Sequence, residues 1–213
     1  MGWQTEDVTS ATATPFVLLY DYRCPFAKNV HDHVIAALRS GLALDVTFTP
    51  YTLSQGHVEP GSPAVWDDPS QAAGLLALEA SLAAQQVAPE RFLDLHEALF
   101  AARHERSISL MTSGQIDAVL DEVGIDPAPI WDEVATGRPK AAIAEAWTHF
   151  HDDLEVFGVP TFVVDDVDAT FVRLMDGPDP ADPTASVEVV SRLLDLVISR
   201  TEINELKHTR LSR

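Results

Sequence analysis

A short apolar segment runs straight into a helical pattern in this chain, and the only cysteine stands at the junction. Phe16–Tyr20 is a run of apolar and aromatic residues that predicts a buried strand. After the polar turn 21–23, Cys24 and Pro25 open a helical pattern that continues to about Arg39. One face of this helix is apolar and carries Ala27, Val30, Val34 and Leu38. The sequence therefore predicts a strand and an amphipathic helix with a thiol at the helix N-terminus.

The order of the remaining elements predicts the architecture. Gly41 ends the first helix, and the segment 42–48 predicts a second strand, joined to the first by a right-handed crossover in a parallel sheet. A loop at 50–69 is rich in proline and glycine. Helices are predicted at about 70–86, 89–105, 112–123, 127–136 and 138–156. Strands at 160–164 and 169–174 and a last helix at 184–200 follow.

This order predicts an α/β fold in which an all-helical block is inserted into a sheet domain. We assign residues 15–65 and 157–200 to the sheet domain, 66–156 to the helical insertion and 201–213 to a C-terminal tail. With 213 residues the chain is long enough to bury a sizeable core.

Charge and cysteine content narrow the classes of partner. The formal net charge of −19 argues against nucleic acid or an anionic membrane as a partner. A single cysteine excludes an intrachain disulfide and a multi-cysteine zinc site, and the histidine spacing does not favour a metal. His31, two helical turns beyond Cys24, is expected at the surface. The residues before Phe16 lack the pattern of a secretory signal, and no stretch has the length of a membrane span, so we expect a cytoplasmic protein.

Cys24 occupies a position that favours a reactive thiol. The unpaired N–H groups and the positive end of the dipole at a helix start favour the thiolate, and Pro25 suits the first helical position. Arg23 and Lys28 add positive charge nearby, whereas Asp21 opposes the thiolate unless it bonds the backbone of the turn. We therefore predict that the pKa of Cys24 lies below the reference value of about 8.5.

A second motif lies about 135 residues further along the chain. The segment 158–162, Gly-Val-Pro-Thr-Phe, follows a helix and enters a strand, where proline is tolerated at the first residue. Together with Cys24-Pro25, this segment resembles the thioredoxin superfamily, whose members place a cis-proline loop against the active-site thiol. The inserted helices make the chain resemble the DsbA-like branch, which includes kappa-class glutathione transferases and 2-hydroxychromene-2-carboxylate isomerases.

The tail gives a more specific resemblance. Residues 204–210, Asn-Glu-Leu-Lys-His-Thr-Arg, resemble the Glu-Leu-Lys-Arg-Thr-Arg ending of actinobacterial mycothiol-dependent nitroreductase-type proteins, which carry Cys-Pro-Trp-Cys at the helix start. Here Phe26 replaces the tryptophan and Ala27 replaces the second cysteine. No other thiol exists in the chain to resolve a mixed disulfide, so only monothiol chemistry remains.

The resemblance implies a site built around Cys24 as the nucleophile, with a cis bond between Val159 and Pro160. The backbone of Val159 would pair with a bound peptide or thiol, and Phe26 and Thr161 would line the same groove. The predicted substrate-binding residues are Arg23, Pro25, Phe26, Lys28, Val159, Pro160 and Thr161.

We expect a monothiol thiol-disulfide oxidoreductase or thiol transferase that acts on a small thiol or a disulfide-containing substrate. Mycothiol or glutathione would be a co-substrate, and no tightly bound cofactor is expected. Two alternatives stay open at this point. One is a kappa-class-like transferase or isomerase, in which the bound thiol itself reacts. The other is a redox-silent binding protein. The sequence specifies neither the substrate nor an oligomeric state.

Overall fold

A four-stranded mixed sheet forms the centre of the computed structural model, which describes residues 14–208. The strands are β1 (Phe16–Tyr20), β2 (Val46–Pro50), β3 (Thr161–Val164) and β4 (Asp168–Phe171). Their order in the sheet is β2-β1-β3-β4. The pair β1–β2 is parallel, and the pairs β1–β3 and β3–β4 are antiparallel. The fold is therefore of the α/β class, and the predicted parallel crossover is confirmed.

The second strand lies later in the chain than the sequence predicts. Pairing with β1 sets its bounds, because Phe16 pairs with Val46 and Tyr20 pairs with Pro50. Residues 42–45 precede the start of β1 in this register and belong to no strand among the described residues, although Asp45 O accepts the N–H of Phe16 at 3.0 Å. The prediction of a strand over 42–48 is therefore wrong at both ends.

The helix α1 (Pro25–Arg39) has well-defined ends. Cys24 is the residue before it, with extended backbone angles (φ −92°, ψ 116°), and Pro25 takes the first helical position. At the other end Gly41 has φ +91°, the left-handed conformation that glycine adopts most easily. Leu42 N donates to Ala37 O and Gly41 N to Leu38 O, both at 3.0 Å, which closes the helix.

Five helices follow β2 and precede β3. They are α2 (Leu76–Val87), α3 (Phe92–His104), α4 (Ser113–Glu122), α5 (Pro127–Ala135) and α6 (Arg138–Thr148). The first starts later than predicted, because residues 70–75 form turns, and the last ends earlier, in a wider π-helical turn at His149–Asp153. The final helix α7 (Ala185–Ser199) packs against α1. The predicted tail is described only as far as residue 208, so Thr209 and Arg210 of the tail motif lie outside the described residues.

His31 is buried, contrary to the prediction that it lies at the surface. It belongs to a hydrogen-bonded row between α1, α3 and the turn before Cys24. Tyr22 Oη lies 2.8 Å from His96 Nδ1, and His96 Nε2 lies 2.8 Å from His31 Nδ1. His31 Nε2 lies 3.4 Å from Leu19 O, which can only accept, so the row runs in one direction from the tyrosine hydroxyl to that carbonyl. The packing of α3 over α1 covers this face, which the sequence of α1 alone does not show.

None of the helices in residues 14–208 is long and apolar enough to cross a membrane.

Candidate active site

Cys24 lies between the start of α1 and the loop before β3. Its side chain is buried, and Sγ donates to the carbonyl oxygen of Val159 at 3.1 Å. The backbone N–H of Ala27 donates to Sγ at 3.4 Å. The Val159–Pro160 peptide bond is cis, the geometry that the sequence analysis expects. Residues 135 positions apart are thus brought into contact around one thiol.

Ala27 stands where a second thiol would close a dithiol site. The residue is buried, and its N–H is committed to the Cys24 sulfur. The chain has no other cysteine, and Cys24 is free. Any disulfide that Cys24 forms therefore has to be with a partner molecule.

The prediction of a lowered pKa for Cys24 is wrong for this structure. Burial raises the pKa of the thiol above its ordinary value, and the Asp21 carboxylate raises it further. The N–H groups of Ala27 and Phe26 lower this pKa, as a helix start is expected to do, but desolvation outweighs them. In the free protein the favoured species is the neutral thiol, which donates to the Val159 carbonyl.

The two cations predicted to support the thiolate have other partners. The guanidinium of Arg23 donates to the hydroxyl of Ser54. Lys28 Nζ lies 2.6 Å from Asp32 Oδ2 and 2.8 Å from Glu105 Oε1, so it pairs with a carboxylate of α1 and with one directly after the end of α3. Neither residue is therefore placed as the electrostatic partner of the thiol.

Asp21 both bonds the backbone of the turn and opposes the Cys24 thiolate, the two roles that the sequence analysis considers. Its Oδ1 accepts from the N–H of Arg23 and its Oδ2 from that of Leu53, both at 2.8 Å. The carboxylate therefore holds the turn before Cys24 against the loop after β2. Burial raises the pKa of Asp21, and its charge in turn opposes ionisation of Cys24.

Arg173 is a site residue that the sequence analysis missed. Its Cζ lies 4.5 Å from the ring centroid of Phe26 and 5.6 Å from that of Phe171, and its charge lowers the pKa of Cys24. The ring of Phe171 in turn lies 5.2 Å from that of Phe157, whose residue is 76% exposed. The strand predicted over 169–174 ends at Phe171 in the structure, and Arg173 lies two residues beyond it. Side-chain alternation within that predicted strand puts positions 171 and 173 on one face, and this signal could have identified the pair.

The other predicted residues are divided between the surface and the interior. Pro25 is exposed and Phe26 is half-buried, so both are accessible beside the thiol. Val159 and Pro160 are buried against it. Thr161 is buried as well, and its hydroxyl donates to Gly158 O at 2.7 Å, so it stabilises the loop rather than lining an open groove.

The sheet order, the cysteine at the start of α1 and the helices inserted between β2 and β3 together define a thioredoxin fold with a helical insertion. Comparison with protein-family models gives a match to the DSBA-like thioredoxin domain over residues 17–184. The chain therefore belongs to the DSBA-like thioredoxin domain family. No match to a curated protein is found.

Solved structures of similar fold include three thiol-disulfide proteins. The thiol-disulfide exchange protein alpha-DsbA2 from Wolbachia pipientis is 18% identical, with a TM-score of 0.56 over 90% of this chain and 83% of that one. The cytosolic disulfide reductase DsbM from Pseudomonas aeruginosa, solved with GSH, is 13% identical, with a TM-score of 0.57 over 85% of this chain and 97% of that one. Reduced DsbA1 from Neisseria meningitidis is also 13% identical, with a TM-score of 0.57 over 94% of this chain and 91% of that one. At this level of identity the likeness concerns the fold.

Proposed function

We propose that this protein is a monothiol member of the DSBA-like family, in which Cys24 exchanges disulfides with the help of a low-molecular-weight thiol. The observation that carries the proposal is the position of the thiol. Cys24 Sγ sits at the start of α1 against Val159 O, and an alanine methyl occupies the place of a second sulfur. The structural likeness to a disulfide reductase solved with GSH supports a small thiol such as glutathione as the co-substrate, with mycothiol as the other candidate.

The exchange balances without any further oxidant. Cys24 loses its proton and the thiolate attacks one sulfur of a disulfide R–S–S–R′, so the S–S bond of the substrate breaks as a new one forms to Cys24. The leaving thiolate R′–S⁻ takes up a proton. A small thiol R″–SH, as its thiolate, then attacks the R sulfur of the mixed disulfide, so that R–S–S–R″ is released and the Cys24 sulfur leaves and takes up a proton. Arg173, held by Phe26 and Phe171, is the cation that stabilises the Cys24 thiolate in this step.

The burial of Cys24 favours a second candidate, a transferase of the kappa type. Because burial raises the pKa of Cys24, a bound small thiol with a lower pKa would be the better nucleophile. In that reaction the protein binds and activates the thiol, and Cys24 does not become covalently modified.

The first experiment separates the two candidates. Wild-type protein and Cys24→Ser are given hydroxyethyl disulfide with glutathione or mycothiol, and disulfide reduction is followed. Loss of turnover in Cys24→Ser, together with a mixed disulfide on Cys24 in intact mass spectrometry, supports the monothiol proposal. Turnover or thiol binding that survives Cys24→Ser supports the transferase. Absence of both turnover and thiol binding with either thiol contradicts both candidates and favours a redox-silent binding protein.

The second experiment restores the missing thiol. In Ala27→Cys the two cysteines are three residues apart at a helix start, where their Cβ atoms come within about 3.5–4.5 Å of each other, which a disulfide requires. This variant should form an internal disulfide and reduce insulin with an added reductant, while the natural protein should not. Insulin reduction by the natural protein without a small thiol would contradict the monothiol proposal. Ala27→Ser is the matched control, because it adds a polar atom but no sulfur.

A further inference from the structure

A cavity of about 330 Å³ lies between the turn before Cys24 and the helical insertion. The turn contributes residues 21–23, and the insertion contributes Arg103 of α3 and Leu110 of the loop after it. Among the described residues, neither Cys24 nor Val159 lines this cavity. It is therefore a second concave site, next to the thiol site but separate from it.

Arg103 lines this cavity and carries one hydrogen-bond donor that the described part of the protein does not satisfy. Its Nε is enclosed, and no acceptor in residues 14–208 bonds to it. Arg23 adds a second guanidinium to the lining, and within residues 14–208 the hydroxyl of Ser54 is the only acceptor bonded to it. Buried donors in proteins are almost always paired, so an enclosed guanidinium nitrogen without a partner indicates a missing acceptor.

Asp21 is the carboxylate in this lining, and it does not supply that acceptor. Each of its oxygens already accepts a backbone N–H, from Arg23 and from Leu53. The charges of Arg23 and Arg103 lower the pKa of Asp21, but burial raises it by more. Two guanidiniums against one carboxylate leave the cavity with a positive charge and an excess of donors.

We propose that this cavity binds a small organic anion. Its carboxylate or phosphate group accepts hydrogen bonds from Arg103 and Arg23, since a planar guanidinium pairs such groups through two parallel bonds. Its apolar part packs against Leu78 and Leu110, which also line the cavity. The volume falls in the range of small-molecule sites.

Two variants remove the site by different means. Arg103→Gln removes the charge and the unpaired donor. Gly74→Val fills the cavity, because even a Cβ atom at this position would lie 3.3 Å from Ser54 Oγ and 3.9 Å from Arg23 Nη1. Arg192→Gln is the matched control, since Arg192 is exposed on α7 and pairs with Glu188.

Binding is measured by calorimetry with three probes of similar shape: benzoate, phenyl phosphate and benzyl alcohol. All variants are made in the Cys24→Ser protein, so that thiol chemistry plays no part and the result does not depend on the proposed function. We expect one anion or both to bind and the neutral alcohol to fail. The stronger anion identifies a carboxylate or a phosphate ligand.

We expect Arg103→Gln and Gly74→Val each to weaken binding at least about tenfold, and Arg192→Gln to leave it unchanged. Circular dichroism checks the fold of each variant. If Arg103→Gln does not fold, the binding result for Gly74→Val tests the proposal. The proposal is overturned if neither anion binds, if the alcohol binds as tightly as the anions, or if binding persists in the folded variants.

Discussion

The buried pair His31–His96 makes the stability of this fold depend on pH. Burial lowers the pKa of His31 to about 3 and that of His96 well below its ordinary value, so both stay neutral in the folded protein near neutral pH. In the unfolded chain each has a pKa of about 6.5. Acidification from pH 7.5 to 5.5 therefore adds protons to the unfolded state and not to the folded one. The stability due to these groups is fully present above the unfolded pKa and is lost as the pH falls.

The size of this effect follows from the two pKa values. A histidine with an unfolded pKa of about 6.5 that does not protonate when folded costs about 1.4 kcal/mol of unfolding free energy between pH 7.5 and 5.5. The pair costs about 2.7 kcal/mol, a large share of a typical stability of about 5–15 kcal/mol. Asp32 acts in the opposite direction, because its pKa is raised to about 6 and it takes up a proton in the folded state. The comparison of wild type with a variant cancels this contribution.

His96→Phe is the variant that isolates the effect. The rings of Phe92 and Phe100 lie 5.1 Å from that of His96, so the site accepts a phenyl ring. Unfolding free energies are measured with urea at both pH values. We expect the variant to be less stable at pH 7.5, because Tyr22 and His31 lose their partner, but to lose about 1.4 kcal/mol less than wild type on acidification.

This reasoning is refuted if wild type and His96→Phe lose the same unfolding free energy between pH 7.5 and 5.5. His149→Gln is the control. The pKa of His149 is raised by hydrogen bonds to Asp166 and Asp153, so its contribution is present below the unfolded pKa and is lost as the pH rises. His149→Gln should therefore lose more unfolding free energy than wild type between pH 7.5 and 5.5.

Three further predictions concern the site and its surroundings. The rate of alkylation of Cys24 by iodoacetamide should rise with a midpoint above about 8.5, because burial raises its pKa, and a lower midpoint would contradict that burial. Arg173→Gln should slow the alkylation of Cys24 by iodoacetate more than its alkylation by iodoacetamide, while Arg192→Gln should leave both rates unchanged. If the ratio of the two rates is the same in Arg173→Gln as in wild type, Arg173 is not part of the site. Lys28→Met should lower the unfolding free energy by about 2 kcal/mol, because Asp32 is largely buried, and Glu105→Gln by less than about 1 kcal/mol, because Glu105 is exposed. Equal losses of unfolding free energy in Lys28→Met and Glu105→Gln, measured by urea unfolding, would contradict this account.

Local patterns were sufficient for most of the secondary structure and for the position of the thiol. The five residues of β1, the start of α1 at Pro25 and its end before Gly41 all follow from apolar runs, from proline and from glycine. The alanine at position 27 decides the monothiol chemistry that we propose, and this is visible in the sequence. These features depend on interactions between residues close together in the chain, so neighbouring residue types predict them.

Tertiary packing decided the bounds of β2, the burial of His31 and the electrostatics of Cys24. The register with β1 determined where β2 begins and ends, and the packing of α3 over α1 enclosed His31. The helix start favours the thiolate, as the sequence predicts, but the loop at Val159 covers the sulfur and desolvation raises its pKa. Arg173 is close enough to Cys24 to affect that pKa only because β4 pairs with β3. Desolvation and charge proximity depend on groups far apart in the chain, and a local pattern contains no information on which of them will meet.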